Sequence, residues 1–509
     1  SKIVGAAASA LATYAAQQPA PADAAEALAA ARRAADYLLG MSFTDEAVWA
    51  GHPPTYHPTL YRERLKGHMS AGNYLTNCGA ETGRYLLDVH AATRDRRYLD
   101  AAGGAIVVGI GHGRRAVADA AAAQMAKIAY AHGSAFTAET LDAWASEVGP
   151  LLPMRDPSLY PVSGGSEAAE TALKMVRAYW LAQGEPDRTV VVSRWGSYHG
   201  NTLGALDLSG RIGSRRPYEP WLGRFEHVSA PYSYRAGLDG ANAIASGAEA
   251  VAELDALLKR VGPGRIAAFV AEPIVGATLA AAVPSDDYWP AVSAWCARNK
   301  VLLVADEVMT GFGRTGTWFG VNHWKVQPDL LLAAKGVTSG YWPFGFVAAA
   351  AHVAEPILAS GFVHGFTYSH SIPGAAVARS VLKILRDENL IEASAARGAQ
   401  LRAALEAELA NDPWVGEIRG RGLLLGIELV ADRATKASHA RAKRVTERVL
   451  AHAKNAADVG LLLYSATGQA NGVDGDQLVI GPPFVIGDEE IARIARGTAA
   501  AIRAVRDEA

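Results

Sequence analysis

Short runs of apolar residues recur along this chain, and each ends abruptly at a charged residue. Residues 266–271 read Ile-Ala-Ala-Phe-Val-Ala and precede Glu272, residues 301–305 read Val-Leu-Leu-Val-Ala and precede Asp306, and a third run, Leu-Leu-Leu-Ala-Ala, precedes Lys335. Runs of this length are typical of strands buried on both faces of a parallel sheet. Ligands bind at the carboxyl ends of such strands. We therefore expect the three charged side chains to face one crevice.

The spacing between the runs predicts how the strands are connected. Asp306 follows Glu272 by 34 residues, about one βαβ unit, with residues 288–298 as the crossover helix. Only about ten residues separate Lys335 from the apolar residues 346–351, too few for a parallel crossover, so that strand should run antiparallel. The remaining periodicity predicts helices over residues 24–39, 116–127, 168–181, 375–386, 394–409 and 488–506, a hairpin of strands over 83–88 and 95–100, and strands over 190–193, 418–429 and 478–486.

Composition and charge restrict the possible partners. The 509-residue chain is 50% hydrophobic with a net charge of −2, so it can bury a large core but has no sequence-wide basic field for nucleic acid or an anionic membrane. No apolar run approaches the roughly 18 residues that span a bilayer. Cys78 and Cys296 form no disulfide framework or zinc motif, and His52, His57 and His68 match no metal-ligand spacing. We expect a cytoplasmic protein that acts on small molecules and holds no metal.

The pair Asp306 and Lys335 allows two interpretations. A lysine at a strand end can form a Schiff base with a carbonyl cofactor, while an acid nearby keeps a pyridinium nitrogen protonated, as pyridoxal phosphate requires. A structural ion pair buried in the sheet accounts for the same two residues equally well. On these residues alone both interpretations stay open.

A glycine-rich segment precedes the helix predicted over residues 168–181. Gly164, Gly165 and Ser166 would leave backbone N–H groups free at a helix N-terminus, where the helix dipole also favours an anion, so the segment predicts a phosphate site. An ordinary N-cap is the alternative. The glycines Gly109 and Gly111 with their neighbours do not form a dinucleotide fingerprint, because the third glycine has the wrong offset and the ribose-binding acid is missing. A NAD-linked oxidoreductase is therefore disfavoured.

Two motifs together resemble the signature of class III (subgroup II) pyridoxal-phosphate-dependent aminotransferases. They are Asp-Glu-Val-Met-Thr-Gly-Phe-Gly-Arg-Thr-Gly over residues 306–316 and Leu-Leu-Leu-Ala-Ala-Lys-Gly over residues 330–336. The resemblance implies fold type I, an α/β architecture with a mostly parallel seven-stranded sheet between helices and a small α+β domain built from both chain ends. It also implies a ping-pong transamination in which Lys335 holds pyridoxal 5′-phosphate, with pyridoxamine phosphate as the alternate form, and Asp306 keeps the ring nitrogen protonated.

The same resemblance assigns further contacts. Residues 163–170 resemble the family's loop for the cofactor phosphate, and Tyr198 matches the tyrosine that lies flat on the cofactor ring. The implied cofactor contacts are Gly164, Gly165, Ser166, Tyr198, His199, Glu272, Asp306, Val308, Lys335 and Thr367. Thr367 matches a threonine that caps the phosphate of the neighbouring subunit, which implies a homodimer, although residues 369–373 depart from the family pattern. Arg419 lies in a match to the family's Arg-Gly-x-Gly-Leu motif and is the candidate for a substrate carboxylate, with Arg421 as its competitor.

The resemblance covers residues from about 75 to the end and suggests a division of the chain. We expect an Ala-rich extension (1–60), the first part of the small domain (61–115), a large cofactor-binding domain (116–375) and a C-terminal small domain (376–509). The substrates would be an amino acid or amine donor and a ketone, aldehyde or keto acid acceptor. An aminomutase, racemase or decarboxylase on the same fold is the alternative, because fold resemblance does not fix the reaction.

Overall fold

The computed structural model describes residues 98–133, 135–456 and 460–508. The helix predicted over residues 24–39, the strand predicted over 83–88, Cys78 and the three histidines His52, His57 and His68 lie outside this set. The compact unit described below comprises Asp100–Ala456 together with Leu461–Ala509. Within the described residues, no helix has the length and apolar character needed to cross a membrane.

The strands are mostly short, and those over residues 266–271, 302–306, 330–333 and 345–349 are buried along their whole length. In chain order they are β1 (Tyr98–Asp100), β2 (Ser158–Val162), β3 (Val190–Arg194), β4 (Glu226–Val228), β5 (Ala230–Pro231), β6 (Ala243–Ile244), β7 (Ile266–Ala271), β8 (Leu302–Asp306), β9 (Leu330–Ala333), β10 (Gly345–Ala349), β11 (Val415–Arg421), β12 (Leu424–Leu429), β13 (Gly460–Leu462), β14 (Tyr464–Thr467) and β15 (Asp476–Ile480).

Helices separate most of these strands, as the predicted βαβ units require. In chain order they are α1 (Gly103–Ile106), α2 (Arg115–Lys127), α3 (Glu139–Val148), α4 (Gly165–Ala182), α5 (Leu203–Leu208), α6 (Ile212–Arg215), α7 (Gly247–Val261), α8 (Tyr288–Asn299), α9 (Ala351–Ser360), α10 (Ile372–Asp387), α11 (Leu390–Leu409), α12 (Val445–Lys454) and α13 (Asp488–Asp507).

A seven-stranded sheet forms the centre of the unit, in the order β2-β10-β9-β8-β7-β3-β4. Strand β10 is antiparallel to both of its neighbours, whereas β9, β8, β7, β3 and β4 pair in parallel. This confirms the mostly parallel sheet and the antiparallel direction expected of residues 346–351. Strands β7, β8 and β9 are buried at every position, which explains their unbroken apolar sequence.

Helix α4 covers one face of this sheet. Its buried positions Ala168, Ala172, Met175 and Val176 recur three and four residues apart and join the core cluster of the sheet. The indole Nε1 of Trp180 donates a hydrogen bond of 2.9 Å to a backbone oxygen of β7. The N-terminus of α4 is thereby fixed relative to the ends of the central strands.

A second sheet, β11-β12-β15-β14, is antiparallel throughout and packs against α11 and α12, and α13 packs on these two helices. Here two predictions about strands are corrected. The strand predicted over residues 418–429 is a hairpin, because the chain turns at Gly422, whose φ of +55° suits glycine. The strand predicted over residues 478–486 ends at Ile480, because the prolines at 482 and 483 have no N–H groups to donate to a ladder.

Candidate active site

The ends of three neighbouring strands bring the predicted charged residues to one edge of the sheet. Ala271 of β7 pairs with Ala305 of β8, and Asp306 pairs with Leu332 of β9, all in parallel register. Glu272 and Lys335 therefore leave the sheet on either side of Asp306. This is the arrangement that the apolar runs predicted.

Asp306 is almost fully buried and accepts two hydrogen bonds. Its Oδ2 lies 2.6 Å from Nδ1 of His199, and its Oδ1 accepts from the backbone N–H of Val308 at 3.0 Å. The other ring nitrogen of His199, Nε2, lies 3.1 Å from the hydroxyl of Ser193 at the end of β3. With Nδ1–H donating to the carboxylate, Nε2 accepts from the serine. Both donors to Asp306 stabilise its charged form.

Glu272 is held by backbone amides beside this pair. Its Oε1 accepts from the N–H of Tyr198 at 3.2 Å, and its Oε2 accepts from the N–H of Gly276 at 3.1 Å. Burial raises the pKa of Glu272, with the charge of Asp306 adding to that effect and His199 opposing it. The carboxyl group thus joins the loop that carries Tyr198 to the segment after β7.

Lys335 stands directly after β9 in an uncommon backbone conformation, with φ of +37°. A lysine in the left-handed region is strained, and strain of this kind concentrates at functional sites. Burial lowers the pKa of Lys335 to about 8, while the nearby carboxylates Asp306 and Glu272 oppose that shift. A substantial fraction of the amine is therefore neutral and nucleophilic near pH 8.

The N-terminus of α4 lies against the segment after Asp306. A Cβ on Gly165 would come within 3.0 Å of the Val308 side chain, so only a glycine keeps this contact relaxed. Ser166 Oγ accepts from the N–H of Asn201 at 3.0 Å and donates to its side-chain oxygen at 2.8 Å. Within the described chain no side chain caps α4. Its first N–H groups, beginning at Gly165 after Gly164, are available to an anion.

Tyr198 and Thr367 present exposed surfaces, unlike the buried residues around Asp306. Tyr198 is 42% exposed although its backbone N–H donates to Glu272, so part of the residue is open to solvent. Thr367 is an exposed residue in a turn (367–370) that follows α9 and precedes α10. The preceding Val363 is 98% exposed and Tyr368 is 71% exposed. Of the sequence-predicted cofactor contacts, only Thr367 is an exposed residue without a bond to the others.

The structure defines the loop after Thr367, which departs from the family pattern. Ser371 caps α10 by accepting from the N–H of Gly374 at 3.2 Å. Pro373 occupies the first turn of α10, where its missing N–H leaves no helical bond unmade. The observed helix thus begins at Ile372, three residues before the predicted start.

Arg419 lies in a buried polar network rather than at an open surface. Its Nε donates to the oxygen of Ala280 at 2.9 Å, Nη1 donates to Glu417 at 2.7 Å, and Nη2 lies within hydrogen-bonding distance of Glu428 at 3.0 Å and of two further oxygens, on Leu279 and Tyr232. Burial alone would lower the pKa of Arg419, but Tyr232, Glu428 and Glu417 raise it above its ordinary value. Every nitrogen of this guanidinium already has a partner.

Sequence reasoning missed several residues that support the site. Ser193 holds the outer nitrogen of His199. Arg194 donates from Nη2 to the backbone oxygen of Glu272 at 2.6 Å. Arg314, in the loop after β8, donates to the oxygens of Leu423 and Pro482 at 3.0 and 2.7 Å and so ties that loop to the C-terminal part. Arg314 lies within the 306–316 motif, but its partners and that of Arg194 are distant in sequence. The bond from Ser193 to His199 spans only six residues, and no motif signals it.

These features match the chemical groups of pyridoxal phosphate. An uncapped helix end suits a phosphate, a hydrogen-bonded carboxylate suits a pyridinium nitrogen, and a lysine with a lowered pKa suits an aldehyde carbon. The ring of the partly exposed Tyr198 offers a flat surface to a conjugated heterocycle. The residues present therefore fit the cofactor.

Comparison with known proteins agrees with this chemistry. A family model described as aminotransferase class-III matches residues 69–502. An uncharacterised aminotransferase, YodT, of Bacillus subtilis (strain 168) is 37% identical over 425 residues, covering 82% of this chain and 94% of that protein. Putrescine–pyruvate aminotransferase of Pseudomonas aeruginosa is 35% identical, covering 80% and 86%. The crystal structure of an (S)-enantioselective omega-transaminase from Thermomicrobium roseum superposes with a TM-score of 0.74 at 39% identity, covering 81% and 89%.

Proposed function

The chain belongs to the class-III aminotransferases, and from this premise we propose a role in the reaction for each side chain of the site. The reaction itself is a pyridoxal-phosphate-dependent transfer of an amino group from a donor to a carbonyl acceptor. The observation that carries the assignment is the set of adjacent strand ends at Glu272, Asp306 and Lys335, with His199 bonded to Asp306. The bound cofactor supplies an aldehyde for the amino group and a ring that accepts electrons from the substrate's Cα.

Lys335 is proposed as the residue that holds the cofactor and later moves the proton. Its Nζ would bond to the aldehyde carbon, with the aldehyde oxygen leaving as water, and, once displaced by the donor's amine, would take the proton from the substrate's Cα. A general base works best when its pKa is near the working pH. The pKa of about 8, lowered by burial, meets that condition.

Asp306 is proposed to face the ring nitrogen of the cofactor, with His199 as its positioning residue. The bonds from His199 and Val308 engage both carboxylate oxygens and leave the group little rotational freedom. A fixed negative charge keeps the ring nitrogen protonated, and a protonated ring is the better electron acceptor.

The remaining contacts are proposed from the same geometry. The N–H groups that begin α4, at Gly165 and Ser166 after Gly164, would bind the phosphate. Tyr198 would lie against one face of the ring and Val308 against the other, because Val308 adjoins the phosphate end of the site. Glu272 would hold the Tyr198 loop in place through its bond to the backbone.

We further propose a homodimer in which Thr367 reaches the phosphate in the partner's site. Support comes from the exposure of Thr367 together with the apolar Val363 and Tyr368, which a second copy would cover. A cytoplasmic location is proposed on the ground that the chain has two cysteines far apart in sequence. Of these, Cys296 is free and buried.

For the substrates we propose a 2-oxo acid acceptor, because the Pseudomonas aeruginosa relative is named for transfer to pyruvate. Such a substrate needs a cation for its carboxylate. Arg419 is the candidate from the sequence motif, and to bind substrate it would have to exchange its bonds to Glu417 and Glu428. That exchange would leave Glu428, which is fully buried, with fewer partners.

A screen of amino donors tests the proposed function. Purified holoenzyme is mixed with single amino acids and amines, and the visible absorption of the protein-bound cofactor is followed without acceptor. We expect at least one donor to remove this absorption and pyruvate to restore it. An absorption that no donor changes would contradict transamination.

A further inference from the structure

A cavity of about 470 Å³ adjoins the loop that carries Tyr198. Its lining includes Trp195 from that loop and three arginines, Arg211, Arg216 and Arg441, but no aspartate or glutamate among the described residues. Neutral amide side chains, such as those of Gln469 and Asn471, supply further polar groups. A concave surface with guanidinium groups and no acid favours an anionic ligand.

The three arginines are not equally available. Arg441 is already paired with Glu447 and lies 3.9 Å from Asp476. Arg216 is exposed, so water screens its charge. Arg211 is half-buried, and while its carbonyl oxygen accepts from the N–H groups of Ser214 and Arg215, its guanidinium forms no hydrogen bond or ion pair with any residue in the described part of the chain. It is therefore the partly desolvated cation without a counter-ion in this lining.

The backbone segment just before Arg211 is hydrogen-bonded to the segment just before Tyr198. The N–H of Gly210 lies 3.1 Å from both the carbonyl oxygen and the hydroxyl of Ser197, and the N–H of Gly196 donates to the oxygen of Gly210 at 3.0 Å. A Cβ on Gly210 would stand 2.1 Å from the Arg194 oxygen, so only glycine permits this approach. Arg211 and Tyr198 each follow directly after one of these bonded residues.

The charge of Arg211 acts on the Tyr198 phenol, which agrees with the short distance between their backbone segments. Burial raises the pKa of the Tyr198 phenol, and the positive charge of Arg211 opposes that rise. The guanidinium therefore acts on the ring proposed to lie against the cofactor. The neighbouring Arg215 is tied to Asp207 and to backbone oxygens, so it does not compete for a ligand.

We propose that Arg211 binds the carboxylate of the amino acid or 2-oxo acid substrate from this cavity, a role that rests on the proposed function. Arg211 can form a bidentate contact without breaking any existing bond, whereas Arg419 must first release Glu417 or Glu428. The site would accordingly select substrates with a carboxylate close to the reacting carbon.

The test separates carboxylate binding from amine chemistry. Holoenzyme reacts with 2-aminopropane, which has no carboxylate, and propionate is added as a competing carboxylate. In Arg211→Gln we expect the inhibition constant of propionate to rise about ten- to a hundredfold, because a charge-assisted bidentate contact is lost. The half-reaction with 2-aminopropane should change by less than about threefold. Arg211→Lys should be intermediate, because it keeps the charge but loses the planar fork.

Arg216→Gln is the matched control, since it removes an exposed arginine from the same lining. Its propionate inhibition should stay within about twofold of wild type, as expected for a screened surface charge. If propionate does not inhibit the wild type, or inhibits Arg211→Gln equally well, the inference is overturned while the proposed function stands. If the wild type responds to no amino acid and no amine, the proposed function fails and this inference fails with it.

Discussion

Nδ1 of His199 lies 2.6 Å from Oδ2 of Asp306, and both side chains are almost fully buried. The imidazole is also held by Ser193, so the pair forms a fixed polar unit at the ends of β3 and β8. A carboxylate held in this way keeps its position, and a fixed position is what stabilisation of a pyridinium requires. Three of the predictions below concern the groups on or beside this unit.

The first prediction concerns the charge of Asp306. Asp306→Asn should still bind the cofactor through the α4 phosphate site but lose about a hundredfold or more in the rate of the donor half-reaction, because the ring nitrogen is no longer held protonated. Stopped-flow absorbance with a good donor measures the rate. Turnover close to wild type would refute the role.

A second prediction tests whether His199 acts through Asp306. His199→Phe removes the donor to Asp306, so the half-reaction should slow, and the visible band of the bound cofactor should titrate at a different pH from that of wild type. Ser193→Ala keeps the imidazole and should shift the same titration less. If His199→Phe lowers only thermal stability and leaves the titration unchanged, the histidine is structural.

The third prediction follows from the lowered pKa of Lys335. The neutral amine is the nucleophile, so the rate of cofactor attachment to the cofactor-free protein should rise with pH up to about 8 and then level off. An ordinary lysine would keep the rate rising toward pH 10. Attachment is followed by absorbance after mixing with pyridoxal phosphate at each pH.

The fourth prediction tests the shared site. Lys335→Ala and Thr367→Asp should each be inactive as pure proteins, the latter because it places a negative charge beside the phosphate. After subunits are mixed and exchanged, a trans contribution of Thr367 should restore about a quarter of wild-type activity, since half of the dimers are mixed and one of their two sites is intact. If Thr367 acts within its own chain, mixing restores none. Active monomers in light scattering would also rule out the dimer.

The fifth prediction concerns the buried network of Arg419. Arg419→Met removes one cationic partner of the fully buried Glu428, which keeps its bonds to Arg235 and Gln477, and should lower the free energy of unfolding by about 2–4 kcal/mol. Arg421→Met, which breaks the pair with the exposed Asp286 and the guanidinium contact with the Trp324 ring, should cost about 0–2 kcal/mol. Denaturant unfolding of the two variants gives the comparison. Equal stabilities would show that the network contributes little.

How far the sequence predicts this molecule depends on whether the information is local. The burial of β7, β8 and β9 follows from unbroken apolar runs, and the antiparallel β10 follows from a connection too short for a crossover. Both are properties of one short stretch. The phosphate site is also local, because glycines and a helix start occur together in residues 164–166.

Two contacts could not be predicted from a local stretch of sequence: the hydrogen bond between His199 and Asp306, and the ion pair between Arg419 and Glu428. Each joins residues from separate elements, and no spacing rule connects them. Arg211 is a similar case. No sequence motif surrounds Arg211. Its proposed role rests on the absence of a counter-ion for its guanidinium among the described residues and on the hydrogen bond between Gly210 and Ser197.

Reduction of the holoenzyme with borohydride tests the central claim most directly. Borohydride converts the bond between a lysine and the cofactor into a stable one, and peptide mapping by mass spectrometry then locates the label. We predict a single pyridoxyl group on the peptide that contains Lys335, and no label in Lys335→Ala. A label on Lys325 or Lys174, or none in the wild type, would contradict the account.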